Sequence, residues 1–403
     1  MILKLAVYLT ILLIPLGVFS RIEIGENIAF YFNDILIPLI VSGWLFSSLL
    51  LKRKIYFPKA FFYLGIFLII ALISLLNASR FLSSIELTVS SMYLFRFVEY
   101  ISLALLIANL FDKKSLENVI NLLIFSSLAL AFLGFVQYIV IPDFGHIAEE
   151  GGWDPHQYRV LSTFFDPNFL GLYFSFASLL VLVKLLSGQA KIRQLEGKLY
   201  FVSFLVLTLA LILTYSRSSY LAFLTGFGLL GLLRWRWLLV LFPIVGIVVT
   251  LFFPRVLDRF SEGVGVGTSG EARLVEWQNA LQVAKNNLVV GVGFNTYRYA
   301  QQEYGFKTQE AGGHSASGTD SSLLLVLATT GVLGLASFVL FLGNLFWSSL
   351  LMIRKKVPNG YVLMSSLFAL LVHSLFVNSF FYPWLMEWFF IMLGVTLSEQ
   401  IDD

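Results

Sequence analysis

The stretch FVSFLVLTLALILTYSRSSYLAFLTGFGLLGLLRWR, residues 201–236, decides the architecture. Two apolar runs, 197–214 and 218–233, meet at Tyr215-Ser216-Arg217-Ser218-Ser219 with almost no loop between them. Each run approaches the ~20 apolar residues that a helix needs to cross a hydrocarbon core. The pair reads as two short spans joined by a tight turn, with Lys198, Arg234 and Arg236 at their far ends and Arg217 in the turn. An arginine in a tight turn at the membrane boundary is costly unless it contacts something.

Outward from this pair, similar runs occupy 3–19, 33–51, 60–77, 91–111, 118–141, 163–186, 237–253, 321–352, 360–380 and 383–399. The pattern predicts an all-α, polytopic membrane bundle of about twelve transmembrane helices. Composition agrees: the 403 residues are 58% apolar and 13% charged, whereas a soluble chain carries about twice that charge. The run 3–19 is expected to be a retained span and not a cleaved signal peptide, since that keeps the later charge asymmetry consistent. Two connections are long, 142–162 and 254–320. The second is expected to be a small periplasmic subdomain between spans nine and ten. That divides the chain into 1–253, 254–320 and 321–403.

The charges sort onto two faces, Arg96 within a span excepted. One face holds Lys52-Arg53-Lys54, Lys113-Lys114 and Arg354-Lys355-Lys356, with Lys4, Lys59, Lys184, Lys191, Arg193 and Lys198. The positive-inside rule makes that face cytoplasmic and places both termini there. The other face carries Arg21, Arg80, Arg159, Arg217, Arg255, Arg259, Arg273 and Arg298, with only Lys285 and Lys307 as lysines. Topology does not ask for these arginines. A planar guanidinium fork suits phosphate or carboxylate, so the outer face is expected to handle an anionic, phosphate-bearing ligand. The net charge of +3 is small, and the basic residues form no continuous patch, which argues against nucleic acid as a partner. With no cysteine in the chain, disulfides, thiolate metal sites and cysteine nucleophiles are excluded. Metal-ligand spacing is absent, and neither metal nor cofactor is expected.

Several residues are candidates for chemistry, each beside a plainer role. Arg217 is the first, either a ligand-holding arginine or one that snorkels at a helix end. Arg273 falls in the first turn of an amphipathic helix opening at Gly270, with Trp277, Ala280, Leu281 and Ala284 on one face. A cation there opposes the helix dipole, so it holds a ligand or pairs with Glu271 or Glu276. His314, among Gly312, Gly313 and Ser315, is a general base near neutral pH or a surface-loop histidine. Asp320 is the competing base or the N-cap of the next span. Asp166-Pro167-Asn168 also makes an ordinary helix start. Arg96 and Glu99 are expected to pair or to line a cavity. The run Gly291-Val292-Gly293 is weak support for phosphate binding, since no P-loop or dinucleotide pattern surrounds it.

Taken in order, Asp166-Pro167-Asn168 with Gly171, Ser216-Arg217-Ser218, Arg273 with Trp277, Gly291-Val292-Gly293 with Tyr297, and Gly331-Val332-Leu333-Gly334-Leu335 resemble the O-antigen ligase and polymerase superfamily. The resemblance covers about 160–345 closely and the whole chain in topology. It implies a metal-independent glycosyltransferase of the GT-C type at the periplasmic face of the bacterial inner membrane. Such an enzyme takes a glycan from undecaprenyl pyrophosphate and joins it to a hydroxyl of lipid A–core oligosaccharide or of a growing polymer. Carried over by position, Arg217 and Arg273 grip the pyrophosphate and His314 activates the acceptor hydroxyl. Tyr215, Ser218, Asp166, Asn168, Arg159, Arg96 and Tyr297 complete the expected substrate-binding set. One departure stands out: where relatives place the histidine at the start of the helix bearing Gly-x-x-Gly, this chain has Asp320-Ser321-Ser322. A polymerase of the same superfamily is the nearest alternative function. A small-anion transporter is a more distant one, since it predicts midplane charges and broken helices in paired repeats.

Overall fold

The computed structural model describes residues 1–24, 29–145, 153–188, 194–261, 269–306 and 318–401. His314 lies outside the described residues. Each of the twelve apolar runs contains a helix. In chain order these are α1 (Ile2–Leu13), α2 (Phe32–Leu50), α3 (Lys59–Ala78), α4 (Ser84–Leu110), α5 (Lys113–Val140), α6 (Pro167–Leu186), α7 (Leu195–Leu213), α8 (Arg217–Leu233) and α9 (Trp237–Phe252). Three helices follow in the long connection, α10 (Arg255–Ser261), α11 (Ser269–Asn286) and α12 (Tyr297–Glu303). The chain ends with α13 (Ser322–Arg354), α14 (Pro358–His373) and α15 (Pro383–Ile401). Among the described residues, eight elements are long and apolar enough to cross a membrane, while α8 and α9 are shorter apolar helices. The protein is a polytopic helical membrane protein. The strands are an addition that helical periodicity did not indicate: β1 (Arg21–Glu23) and β2 (Ala29–Tyr31) pair antiparallel, with Ile22 opposite Phe30.

Helix α6 is the centre of the bundle. It packs on α7, α8 and α14 and is buried along almost its whole length. A helix enclosed on all sides needs no amphipathic stripe, which fits its apolar sequence. Its close approach to α8 depends on Gly171, where a Cβ would lie 2.5 Å from the Ser219 Oγ. Small residues at such crossings let backbones meet. Helix α9 is the opposite case, with only Leu238 buried. Its apolar faces demand lipid as their cover.

The three helices between α9 and α13 do not form a core of their own. Ala280, Val283 and Ala284 of α11, with Val292, Tyr297 and Ala300, pack onto Leu325 and Ala328 of α13. The expected face of α11 is corrected in part, because Leu281 is exposed and Val283 takes its place. The anchor is a backbone interlock. At Gly331 (φ +67, ψ −170) α13 breaks. The carbonyls of Ala328 and Thr329 accept the N–H groups of Val292 and Gly293, each at 3.0 Å. Across the same contact the Val332 N–H donates to Leu288 O at 2.8 Å. Gly291 (φ +68) and Gly331 are both left-handed, and a Cβ on either would fall within about 2.3 Å of the other strand's backbone. The glycine run therefore serves packing. Its N–H groups at Val292 and Gly293 are spent on α13, which corrects the weak phosphate-binding expectation.

Candidate functional site

The α7–α8 turn is where the polar chemistry of this bundle gathers. Ser216 is the N-cap of α8, its Oγ accepting from the Ser219 N–H. The Ser216 hydroxyl donates to Asn168 Oδ1 at 2.8 Å, and the Ser219 hydroxyl donates to the Asn168 carbonyl at 2.9 Å. Asp166 caps α6, accepting from the Asn168 N–H at 2.6 Å and the Phe169 N–H at 3.2 Å. The starts of α6 and α8 are thus tied to each other. Arg217, half-buried, is the first residue of α8 and engages neighbouring groups.

Below the turn lies a residue that the sequence pattern did not single out. His373, the last residue of α14, is fully buried. Its Nε2 lies 3.1 Å from Ser218 Oγ and 3.2 Å from Ser219 Oγ. Its Nδ1 lies 2.6 Å from Ser379 Oγ, whose proton goes to Val377 O at 3.2 Å. With the Ser379 proton on Val377 O, the imidazole hydrogen is assigned to Nδ1 and Nε2 accepts from a serine of α8. The only available signal was general: a histidine inside an apolar run faces inward and has partners.

Arg273 approaches from the other side, on α11. That helix begins at Ser269, so Arg273 lies past the first turn, a small correction. Local spacing nominates Glu271 or Glu276 as its partner, and the fold adds Asp320, with Nε to Oδ2 at 3.5 Å. The Asp320 carbonyl accepts from Trp277 Nε1 at 3.2 Å, and the Trp277 ring sits 6.3 Å from that of Phe376. Asp320 is not the cap of α13; Ser321 is, accepting from the Leu324 N–H. Asp166, Asn168 and Ser218 thus meet beside Arg217 at the α7–α8 turn, while Arg273 and Asp320 are linked to Phe376, just beyond the end of α14, through Trp277.

Two expected site residues lie elsewhere. Arg96 is bound bidentately by Asp34, Nε to Oδ1 at 3.0 Å and Nη2 to Oδ2 at 2.5 Å, and also donates to Ala29 O at 2.9 Å. Its partner is on α2 and is not Glu99, whose carboxyl oxygens make no hydrogen bond among the described residues. Tyr297 is wholly enclosed in the core that joins α11, α12 and α13.

Arg159 and Tyr215 belong to the outer rim of the turn. Arg159 is buried, and its Nε donates to Thr214 O at 2.7 Å. Burial, with the nearby Arg259 cation, pulls this guanidinium down to about 9. Tyr215 (φ +49) sits beneath Arg255, whose Cζ is 4.9 Å from the ring centroid. Arg255 and Arg259 were legible only as outer-face arginines four residues apart. Among the described residues, no group of three or more His, Asp or Glu side chains is arranged to hold a metal.

Residues 202–339 match the family model described as O-antigen ligase. The matched segment runs from α7 to α13, and so includes the α7–α8 turn, Arg273 and both halves of the glycine interlock. No curated protein matches the chain.

Proposed function

We propose, with the O-antigen ligase match over residues 202–339 as premise, that the chain moves a glycan from undecaprenyl pyrophosphate to a hydroxyl of lipid A–core oligosaccharide. The reaction takes place at the periplasmic face of a bacterial inner membrane, within a bundle of twelve spans. The observation that carries the reading is that Arg217, inside the matched segment, opens a helix whose start is fixed by Asn168 and His373.

In the reaction, the acceptor oxygen attacks the anomeric carbon from the face opposite the leaving group. The bond from that carbon to the diphosphate oxygen breaks, and the diphosphate leaves with the electron pair. The acceptor's proton passes to a base. Arg217 and Arg273 meet the charge that grows on the leaving diphosphate, and fixed guanidinium donors in a water-poor site need no reorganisation to do so. Asp320 already faces Arg273 at 3.5 Å, which favours His314 as the base. The lipid chain of the donor suits an apolar surface such as that of α9.

Removing one preorganised donor typically costs ~10²–10³ in rate. Arg217→Ala and Arg273→Ala are each expected to lose that much transfer in membranes where the protein still inserts. Near-normal transfer by either variant takes that residue out of the site. His314→Ala is expected to lose more activity than Asp320→Asn. In a deletion strain, accumulation of unligated polymer supports ligation, and loss of the polymer itself makes the chain a polymerase of the same superfamily. A transporter is disfavoured by the break in α13, because the freed carbonyls of Ala328 and Thr329 are bound to Val292 and Gly293 and not left for an ion.

A further inference from the structure

A second set of cations lines the rim of the α7–α8 turn. Arg255 Nη1 donates to Tyr158 O at 2.6 Å and Nη2 to Gln157 O at 2.8 Å, beside the Tyr215 ring. Arg159 Nη2 donates to Tyr215 O at 3.4 Å, in addition to its bond to Thr214 O. Arg259 follows Arg255 by one turn of α10 and so shares its face. Among the described residues, neither Arg159 nor Arg255 forms an ion pair; both donate to carbonyls. A carbonyl satisfies an N–H but does not neutralise a charge; Asp166 offsets part of the Arg159 charge from beyond ion-pair distance, while Arg259 and Arg255 oppose it.

A donor without an acceptor completes the set. His156 Nδ1 lies 3.5 Å from Arg159 Nη1, and since arginine only donates, the imidazole hydrogen belongs on Nε2. That Nε2 is buried and has no hydrogen-bond partner among the described residues. Burial, with Arg159 and Arg259, holds His156 down at about 3, so the ring is neutral and presents one N–H. The half-exposed Tyr158 ring beside Arg255 adds an aromatic face of the kind a sugar stacks on.

We propose that Arg159, Arg255, Arg259 and His156 form an anion site for a phosphate group on a glycan substrate, separate from the Arg217–Arg273 pair. The phosphate belongs either to the saccharide or to the prenyl diphosphate. This inference deepens the transferase reading and rests on it for the class of ligand. Guanidinium–phosphate hydrogen bonds are charge-assisted and frequently bidentate, whereas the present acceptors of Arg159 and Arg255 include only neutral groups, chiefly carbonyls.

The test is equilibrium binding to the full chain in nanodiscs, with glucose 1-phosphate and farnesyl diphosphate as probes. The double variant Arg255→Gln/Arg259→Gln is expected to bind glucose 1-phosphate about tenfold or more weakly while farnesyl diphosphate changes by less than about twofold. The reverse selectivity also supports the site and assigns its phosphate to the prenyl donor. Unchanged affinity for both probes overturns the proposal. Should the double variant not fold, Arg255→Lys/Arg259→Lys keeps the charge and loses the fork, with a smaller loss expected. Wild-type affinity for the phosphosugar must also fall as salt rises, and a salt-independent affinity likewise overturns the site. Binding is read without turnover. A protein that binds the probes but transfers no glycan removes the function and leaves the site, while transfer with unaltered variant binding removes the site alone.

Discussion

Arg96 and Arg159 are both largely enclosed arginines, and the ligand role proposed for Arg159 rests on the difference between them. Arg96 has both faces of its fork filled by the Asp34 carboxylate. Tyr100 and the Tyr31 N–H also bind that carboxylate, at 3.1 and 2.8 Å. Its charge is neutralised within the fold. Arg159 bonds to the carbonyls of Thr214 and Tyr215 and stands beside Arg259, which adds to burial in lowering it to about 9. Its hydrogen bonds are made, but among the described residues no carboxylate pairs with it directly; Asp166 acts on it only from beyond ion-pair distance. Burial alone therefore says little about function; the nature of the acceptor decides.

The contrast can be broken by mutation. Arg96→Ala has the largest expected effect on stability, since it strands the buried Asp34 carboxylate; breaking a buried pair costs about 3–5 kcal/mol. Thermal unfolding in detergent reads this, and an unchanged midpoint would mean that Asp34 does not depend on Arg96. Arg159→Gln is expected to cost less, about 2 kcal/mol, because it removes charge-assisted hydrogen bonds to carbonyls but breaks no ion pair. Glycan transfer by this variant should fall by about tenfold all the same, since a phosphate-binding cation is gone. If instead Arg159→Gln unfolds like Arg96→Ala and transfers normally when folded, the distinction between the two arginines fails.

The third expected effect concerns acidity. His156 is held down at about 3, by burial first and then by Arg159 and Arg259. Between its ordinary value near 6.5 and about 3, the unfolded chain takes up a proton that the folded chain refuses. Stability is therefore lost as pH falls through that window, by at most about 1 kcal/mol per pH unit for a ring that retains some exposure. His156→Gln should flatten this acid-side decline. A decline as steep as that of the wild type would place the loss on another group.

Much of the architecture was legible because the membrane imposes it. Apolar runs of spanning length and the division of lysines from arginines are read directly from the chain. The tight turn at Tyr215 to Ser219 was visible for the same reason, and α7 and α8 are separated there by only Thr214, Tyr215 and Ser216. Long-range pairings were not legible. Glu99 is three residues from Arg96 and on the same helical face, so local spacing nominates it. Asp34 wins because it opens α2 next to α4 and also caps α2, a fact of packing that no local pattern records. His373 was hidden for a related reason, since its partners Ser218 and Ser219 lie more than 150 residues away. The two glycine motifs were seen separately, but their mutual interlock at Gly291 and Gly331 exists only once the helices after α9 dock on α13.

The most direct test of the central claim is photo-crosslinking with an undecaprenyl diphosphate that carries a diazirine near the diphosphate. The account predicts labelled peptides from the start of α8, around Arg217, and from α11, around Arg273, with labelling lost in Arg217→Ala. Labelling confined to lipid-facing α9, and indifferent to that substitution, would contradict it.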